Sequence, residues 1–233
     1  VGTNLPAPGF WNGDDPASIK GGYEYGIAQD LARRLGLTKG VKVENVSFDA
    51  LVAGQAKGFD LALSQVTITD DRKKVVDFTA PYFASDQGVL VNKGTQVADL
   101  TAAKALQWGV QQSTTGQTFV DDVIKPAKET RVYGETTQAF TALQAKQIDA
   151  VLLDTAIVLG QAAQPGSPFE VVGQFRSGES YGGVVVKGSP DLAKFDEALT
   201  AMRNDGTLDR LSAQFLQPQF GADPTKVPII KVS

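Results

Sequence analysis

The order in which apolar residues recur constrains this chain more than any other feature. Short apolar runs of strand character alternate with stretches whose apolar side chains fall at helical spacing. Ile27, Ala28, Leu31, Ala32 and Leu35 share one helical face, and Gly36 stands where a helix C-terminal glycine is expected. Residues 41–46 alternate as a strand does, residues 49–56 are helical in character, and the runs at 59–63, 75–78 and 88–91 read as further strands. This β-α-β order signals a parallel or mixed α/β sheet. A second cycle follows, with strands at 108–110, 131–133, 150–153 and 170–174 and helices beginning at Thr115 and Thr137. A glycine-flanked strand at 182–187 leads to Ser189-Pro190, read as helix N-cap and first helical position. Leu192, Phe195, Ala198, Leu199 and Met202 then form a helical stripe stopped by Gly206, and a last helix covers 207–215. Pro218, Pro224 and Pro228 mark a tail expected to wrap the surface.

The two cycles predict two α/β lobes. No Ser/Gly linker divides them, so the chain is expected to pass between lobes inside extended segments, near 91–94 and 182–186. Residues 1–92 and 185–233 then form a discontinuous first lobe and 93–184 the second, joined by a two-segment hinge.

Composition narrows the chemistry. The 233 residues include no His and no Cys. Cysteine nucleophiles, Ser-His-Asp triads, Cys/His zinc sites and disulfides are thereby excluded, and the fold holds by packing. No cofactor or metal is implied. A net charge of −4 disfavours nucleic acid as a partner. No apolar run approaches the roughly 18 residues needed to cross a bilayer. Opening at Val1 rather than Met fits removal of a leader segment, an expectation of export.

The strongest local signal is Ser64-Gln-Val-Thr-Ile-Thr-Asp-Asp-Arg-Lys-Lys-Val-Val-Asp-Phe-Thr-Ala-Pro-Tyr82. Here the chain leaves a buried strand and turns, with hydroxyls at Thr67 and Thr69 and a guanidinium at Arg72. A planar cation at the mouth of an α/β sheet can grip a carboxylate through two parallel hydrogen bonds. The plainer reading is a surface ion pair of Arg72 with Asp70 or Asp77.

This stretch resembles the segment S-x-x-T-I-T-x-x-R-K-x-x-x-D-F-S-x-P-Y of the extracytoplasmic solute-binding proteins of amino-acid ABC importers, which have the type II periplasmic-binding-protein fold. Gly22-Tyr-Glu-Tyr-Gly-Ile-Ala28 is similar to their G-F-D-x-D-L-A, Val110-Gln-Gln-Ser-Thr-Thr-Gly116 to V-Q-x-G-T-T-G, Ile148-Asp-Ala-Val-Leu-Leu-Asp154 to x-D-A-V-x-x-D, and Asn204-Asp-Gly-Thr-Leu208 to x-D-G-T-L. Phe48 to Leu51 with Gly58 to Leu61 resembles a further motif, and the set covers nearly the whole chain in the family's order.

The resemblance implies that Arg72 binds a ligand α-carboxylate, helped by Thr67 and by Thr115 from the other lobe, and that Asp154 accepts the α-ammonium. It implies an apolar wall at Phe48 and a backbone contribution at Gln65. Trp11 is a candidate lid. The chemistry is coherent in its own right: a zwitterion leaving water needs one partner of each sign, because unpaired buried charge is costly. Each residue also has a rival reading. Asp154 and Thr115 are candidate helix N-caps, while Phe48 and Trp11 are candidate core or loop residues.

Departures from the pattern matter too. Asn4 and Gly26 stand where the family often has Asp, Ala7 where an aromatic is common, and Ser113 where Gly is common. Losing the acid at Asn4 argues against a basic ligand. The amides of Gln65, Gln111 and Gln112 favour a neutral polar amino acid such as glutamine or asparagine. The implied protein is an extracytoplasmic, monomeric carrier that closes on a small amino acid and hands it to an ABC transporter permease, with no catalysis. The alternatives are a cyclohexadienyl dehydratase-like enzyme, with Glu135 or Glu179 as candidate acids, and the sensor module of a receptor.

Overall fold

The structure is a computed structural model, and it describes residues 1–222 and 224–232. In chain order the elements are β1 (Gly2–Thr3), α1 (Tyr23–Arg34), β2 (Glu44–Asn45), α2 (Phe48–Val52), a 3-10 turn at Arg72–Lys74, β3 (Val76–Phe78) and β4 (Phe83–Asn92). They continue with α3 (Leu100–Ala105), β5 (Trp108–Gln111), α4 (Thr115–Phe119), a π turn at Val120–Ile124, β6 (Arg131–Tyr133), α5 (Thr136–Gln144), β7 (Ala150–Asp154) and α6 (Thr155–Ala162). The chain finishes through β8 (Phe169–Tyr181), β9 (Val184–Val186), α7 (Leu192–Asn204), α8 (Thr207–Phe215), α9 (Gln217–Phe220) and a 3-10 turn at Pro224–Lys226.

Two compact units result. One holds residues 1–84 and 179–218, the other 85–178 and 219–233. The chain therefore passes between units three times. The boundaries expected from sequence lay at 92/93 and 184/185, with the tail in the first lobe; here the tail belongs with the second unit.

The first unit has a small mixed sheet. β1 pairs with β2 in parallel and β3 with β9 antiparallel, and Ala62 joins the pairs by single bridges to Gly2 and Val184. The strand expected over 59–63 is thus one bridged residue between two partners. α1 begins a turn earlier than its apolar stripe indicated and buries Tyr23, Glu24, Ile27, Ala28 and Leu31. Gly36 ends it at φ 70°, with Leu37 N–H returning to the Ala32 carbonyl at 2.9 Å. Gly26 has a packing cause: a Cβ there would lie 2.6 Å from Cδ2 of Leu211 on α8. α7 starts two residues beyond the expected Pro190, behind Asp191.

The second unit is a five-stranded sheet in the order β6-β5-β7-β4-β8. β5 runs parallel to β6 and β7, and β4 antiparallel to β7. Successive side chains of a strand point to opposite faces, and the core divides accordingly. Val89, Val91, Trp108, Val110, Ala150 and Leu152 pack in one cluster with Phe175. Leu90, Val151 and Leu153 pack in another with Leu143, Val158 and Phe169. The proline tail does not merely wrap the surface. Gln174 N–H donates to the Pro228 carbonyl and Ile230 N–H to the Gln174 carbonyl, each at 2.8 Å, and Ile230 is buried in the first of these clusters.

Candidate functional site

In the first unit the site is built on the loop that follows buried residues 61–63. Gln65 has φ 49°, a left-handed conformation costing about 1–2 kcal/mol for a residue with a Cβ. Glu24, fully buried on α1, holds it there. Glu24 Oε1 accepts from Gln65 N–H at 2.8 Å and from the Tyr82 hydroxyl. Its Oε2 accepts from Trp11 Nε1 at 2.8 Å and from Gln65 Nε2. Burial pushes the Glu24 carboxyl above the usual glutamate range, against those hydrogen bonds, which pull it down.

Beyond this anchor, Thr67 bridges Tyr181, and Ile68 N–H bonds the Ser180 carbonyl at 2.9 Å. Thr69 Oγ1 accepts from Arg72 N–H at 3.2 Å and starts the turn that carries the guanidinium. Arg72 is 8% exposed. Its Nη1 donates to the Thr67 carbonyl at 2.7 Å, and its Cζ stands 5.4 Å from the centre of the Phe48 ring, within cation–π range. The neighbouring carboxylates pair with lysines: Asp70 with Lys73, Asp71 with Lys74, Asp77 with Lys187. Glu179 Oε2 lies 3.3 Å from the Thr67 hydroxyl.

In the second unit Asp154 ends β7 and Thr115 opens α4. Asp154 occupies the N-cap position of α6, yet its side chain makes no capping bond. Thr114, not Thr115, caps α4, its Oγ1 accepting from Gln117 N–H at 3.1 Å. Both side chains meet Gln87, whose Nε2 lies 3.2 Å from Thr115 Oγ1 and 3.4 Å from Asp154 Oδ1. Ser113, where glycine was expected, has φ 63° and is held by its N–H to Gln117 Oε1 at 2.8 Å.

The structure thus gathers Arg72, Thr67 and Phe48 directly, and Gln65 and Trp11 around Glu24. It gathers Asp154 and Thr115 around Gln87. Two expectations change. Trp11 is fully buried with its one donor on Glu24, so it supports the site from below and is no lid. The Gln65 amide also goes to Glu24, and Gln111 Nε2 lies 3.3 Å from the Gly134 carbonyl, so these amides no longer argue for a polar ligand side chain. Phe48 packs in a core cluster with Leu51, Val66 and Val184 as well as under Arg72. The sequence reading missed Glu24 and Gln87. Glu24 lies three and four residues before Ile27 and Ala28, on their helical face, and Gln87 alternates with Val89 and Val91.

Comparison with known proteins gives one consistent picture. The family described as bacterial extracellular solute-binding proteins, family 3, matches residues 1–218. The L-cystine-binding protein TcyJ of Escherichia coli (strain K12) is 32% identical over 231 residues, covering 97% of this chain and 84% of that protein. An ancestral arginine-binding protein bound to arginine superposes with a TM-score of 0.80 at 32% identity, covering 92% of this chain and 96% of the other. The solute receptors for L-cysteine of Neisseria gonorrhoeae give a TM-score of 0.82 at 27% identity, covering 96% and 92%.

Proposed function

Because the chain belongs to the bacterial extracellular solute-binding proteins of family 3, we propose that its solute is an amino acid with an uncharged side chain, carried outside the cytoplasm to an ABC transporter permease. One observation carries the choice of ligand. Among the described residues, the buried charged side chains are Glu24, Arg72 and Asp154. Glu24 already accepts from four internal donors. Arg72 on the first unit and Asp154 on the second supply one buried charge of each sign, which suits the two ends of a zwitterion. Arg72, braced by the Thr67 carbonyl and the Phe48 ring, takes the carboxylate with Thr67 and Thr115. Asp154 takes the ammonium. Cysteine, named for one of the similar proteins, meets this requirement better than arginine does.

The test is a thermal-shift panel of the twenty amino acids and L-cystine, followed by calorimetry. A compound at 100 times its Kd stabilises the fold by about 2.7 kcal/mol. Neutral amino acids should raise Tm, and Arg72→Ala and Asp154→Ala should each weaken binding by 100-fold or more. Arg72→Lys keeps the charge but loses the two-pronged fork, and should fall between. Wild-type affinity in Arg72→Ala would overturn the reading.

A dehydratase has one observation in its favour, the Glu179 carboxylate beside the Thr67 hydroxyl. Incubation with prephenate or arogenate tests it, and both are expected to remain unchanged.

A further inference from the structure

We propose that Gln87 is a positioning residue that aims Asp154 and Thr115 at the ligand, an inference that rests on the roles just given to those two residues. Gln87 lies directly opposite Asp154 in the antiparallel register of β4 and β7, so the two side chains leave the same face of the sheet. It is fully buried. A primary amide has two N–H bonds, and Nε2 lies within reach of two acceptors, Thr115 Oγ1 at 3.2 Å and Asp154 Oδ1 at 3.4 Å.

That division sets what each acceptor offers. A hydroxyl oxygen that takes a hydrogen from Gln87 directs its own hydrogen elsewhere, as a donor suited to a carboxylate. A carboxylate held at one oxygen by a neutral amide keeps its full charge and a fixed direction. Lysine or arginine at position 87 would neutralise Asp154 and compete with an incoming ammonium; glutamine supports the charge without cancelling it. The surrounding glycines hold the arrangement close. A Cβ on Gly116 would stand 2.9 Å from the Leu152 carbonyl oxygen and 3.0 Å from Gln87 Oε1, and one on Gly88 would stand 2.9 Å from Cα of Thr155. Both helix starts, at Thr115 and Thr155, are thereby pressed against β4 at this residue.

The experiment is a double-mutant cycle in the whole chain, because a residue that acts through others is non-additive with them. The amino acid giving the largest Tm rise in the panel above is titrated against Gln87→Met, Asp154→Asn, Thr115→Val and the two pairs containing Gln87→Met. Gln87→Met should weaken binding 10- to 100-fold in the wild-type background and less than threefold in Asp154→Asn. Affinity within twofold of wild type in Gln87→Met, or factors that multiply in full in both pairs, would overturn the proposal. If Asp154→Asn and Thr115→Val leave affinity unchanged, the underlying assignment of the site fails and takes this proposal with it. A second measurement needs neither ligand nor a folded Gln87 variant. In NMR spectra, Asp154→Asn and Thr115→Val should each move a different one of the two Gln87 side-chain amide protons. If neither proton moves in either variant, the proposal falls.

Discussion

The indole Nε1 of Trp11 donates to the Glu24 carboxylate at 2.8 Å, deep in the first unit. The same Trp11 nitrogen lies 3.1 Å from the Leu63 carbonyl, so Glu24 can be removed without orphaning the indole. Gln65 N–H, Gln65 Nε2 and the Tyr82 hydroxyl also donate to Glu24. Replacing Glu24 by Leu leaves those donors buried, at about 1–3 kcal/mol each, and should lower unfolding free energy by about 3 kcal/mol or more. Glu24→Gln keeps one acceptor oxygen and should cost about 1–2 kcal/mol. Both are read from urea unfolding curves.

The same carboxyl gives a signed pH dependence. Its folded-state pKa is raised by burial above the ordinary 4.5, so the native state holds the proton more tightly than the unfolded chain does. The associated stability is fully present below that value and is lost as pH rises through the folded value. The difference in unfolding free energy, wild type minus Glu24→Gln, should therefore shrink between pH 4.5 and pH 7. A difference that grows over this range would contradict the raised value.

Gly116→Ala isolates the close approach of α4 to the sheet. The added methyl would meet the Leu152 carbonyl oxygen at 2.9 Å, a backbone atom that cannot rotate away. Forced displacement of this kind costs about 1–3 kcal/mol. Because Thr115 precedes this glycine, ligand affinity should fall along with Tm. Loss of Tm alone would mean that the helix start relaxes without moving Thr115.

Much of this arrangement was legible in the order of residues, for identifiable reasons. Arg72 and Asp154 stand out because the segments that carry them, 64–82 and 148–154, resemble motifs of the family. The faces of β4 and β7 follow from strict alternation. Glu24 was missed because an acid in the first turn of a helix is ordinarily solvated and complements the dipole; its place on the apolar face carried the contrary signal. Ile229 and Ile230 beside Pro228 carried a similar signal, since two adjacent β-branched residues favour the backbone pairing that the tail makes with Gln174. The exact strand lengths were not legible, because Ala62 and Gly2 pair through geometry that only the assembled sheet supplies.

The adjacent threonines Thr114 and Thr115 should separate stability from binding. Thr114 Oγ1 accepts from Gln117 N–H at 3.1 Å and donates to the Gln111 carbonyl at 2.7 Å, so its hydroxyl both caps α4 and ties it to β5. Thr115 Oγ1 meets Gln87 Nε2 at 3.2 Å. Thr114→Ala should cost about 1 kcal/mol, the usual value of an N-cap, with affinity reduced only in proportion to any fraying of the helix. Thr115→Ala should leave Tm within about 2 °C, since a loss of 0.5 kcal/mol or less moves a chain of this size by no more than that. It should weaken the amino acid selected by the thermal-shift panel by about tenfold, the value of one hydrogen bond to a charged group. Paired calorimetry and thermal unfolding of both variants read the two effects. The reverse pattern, with Thr115→Ala unstable but binding normally, would reassign that hydroxyl to the fold and remove it from the site.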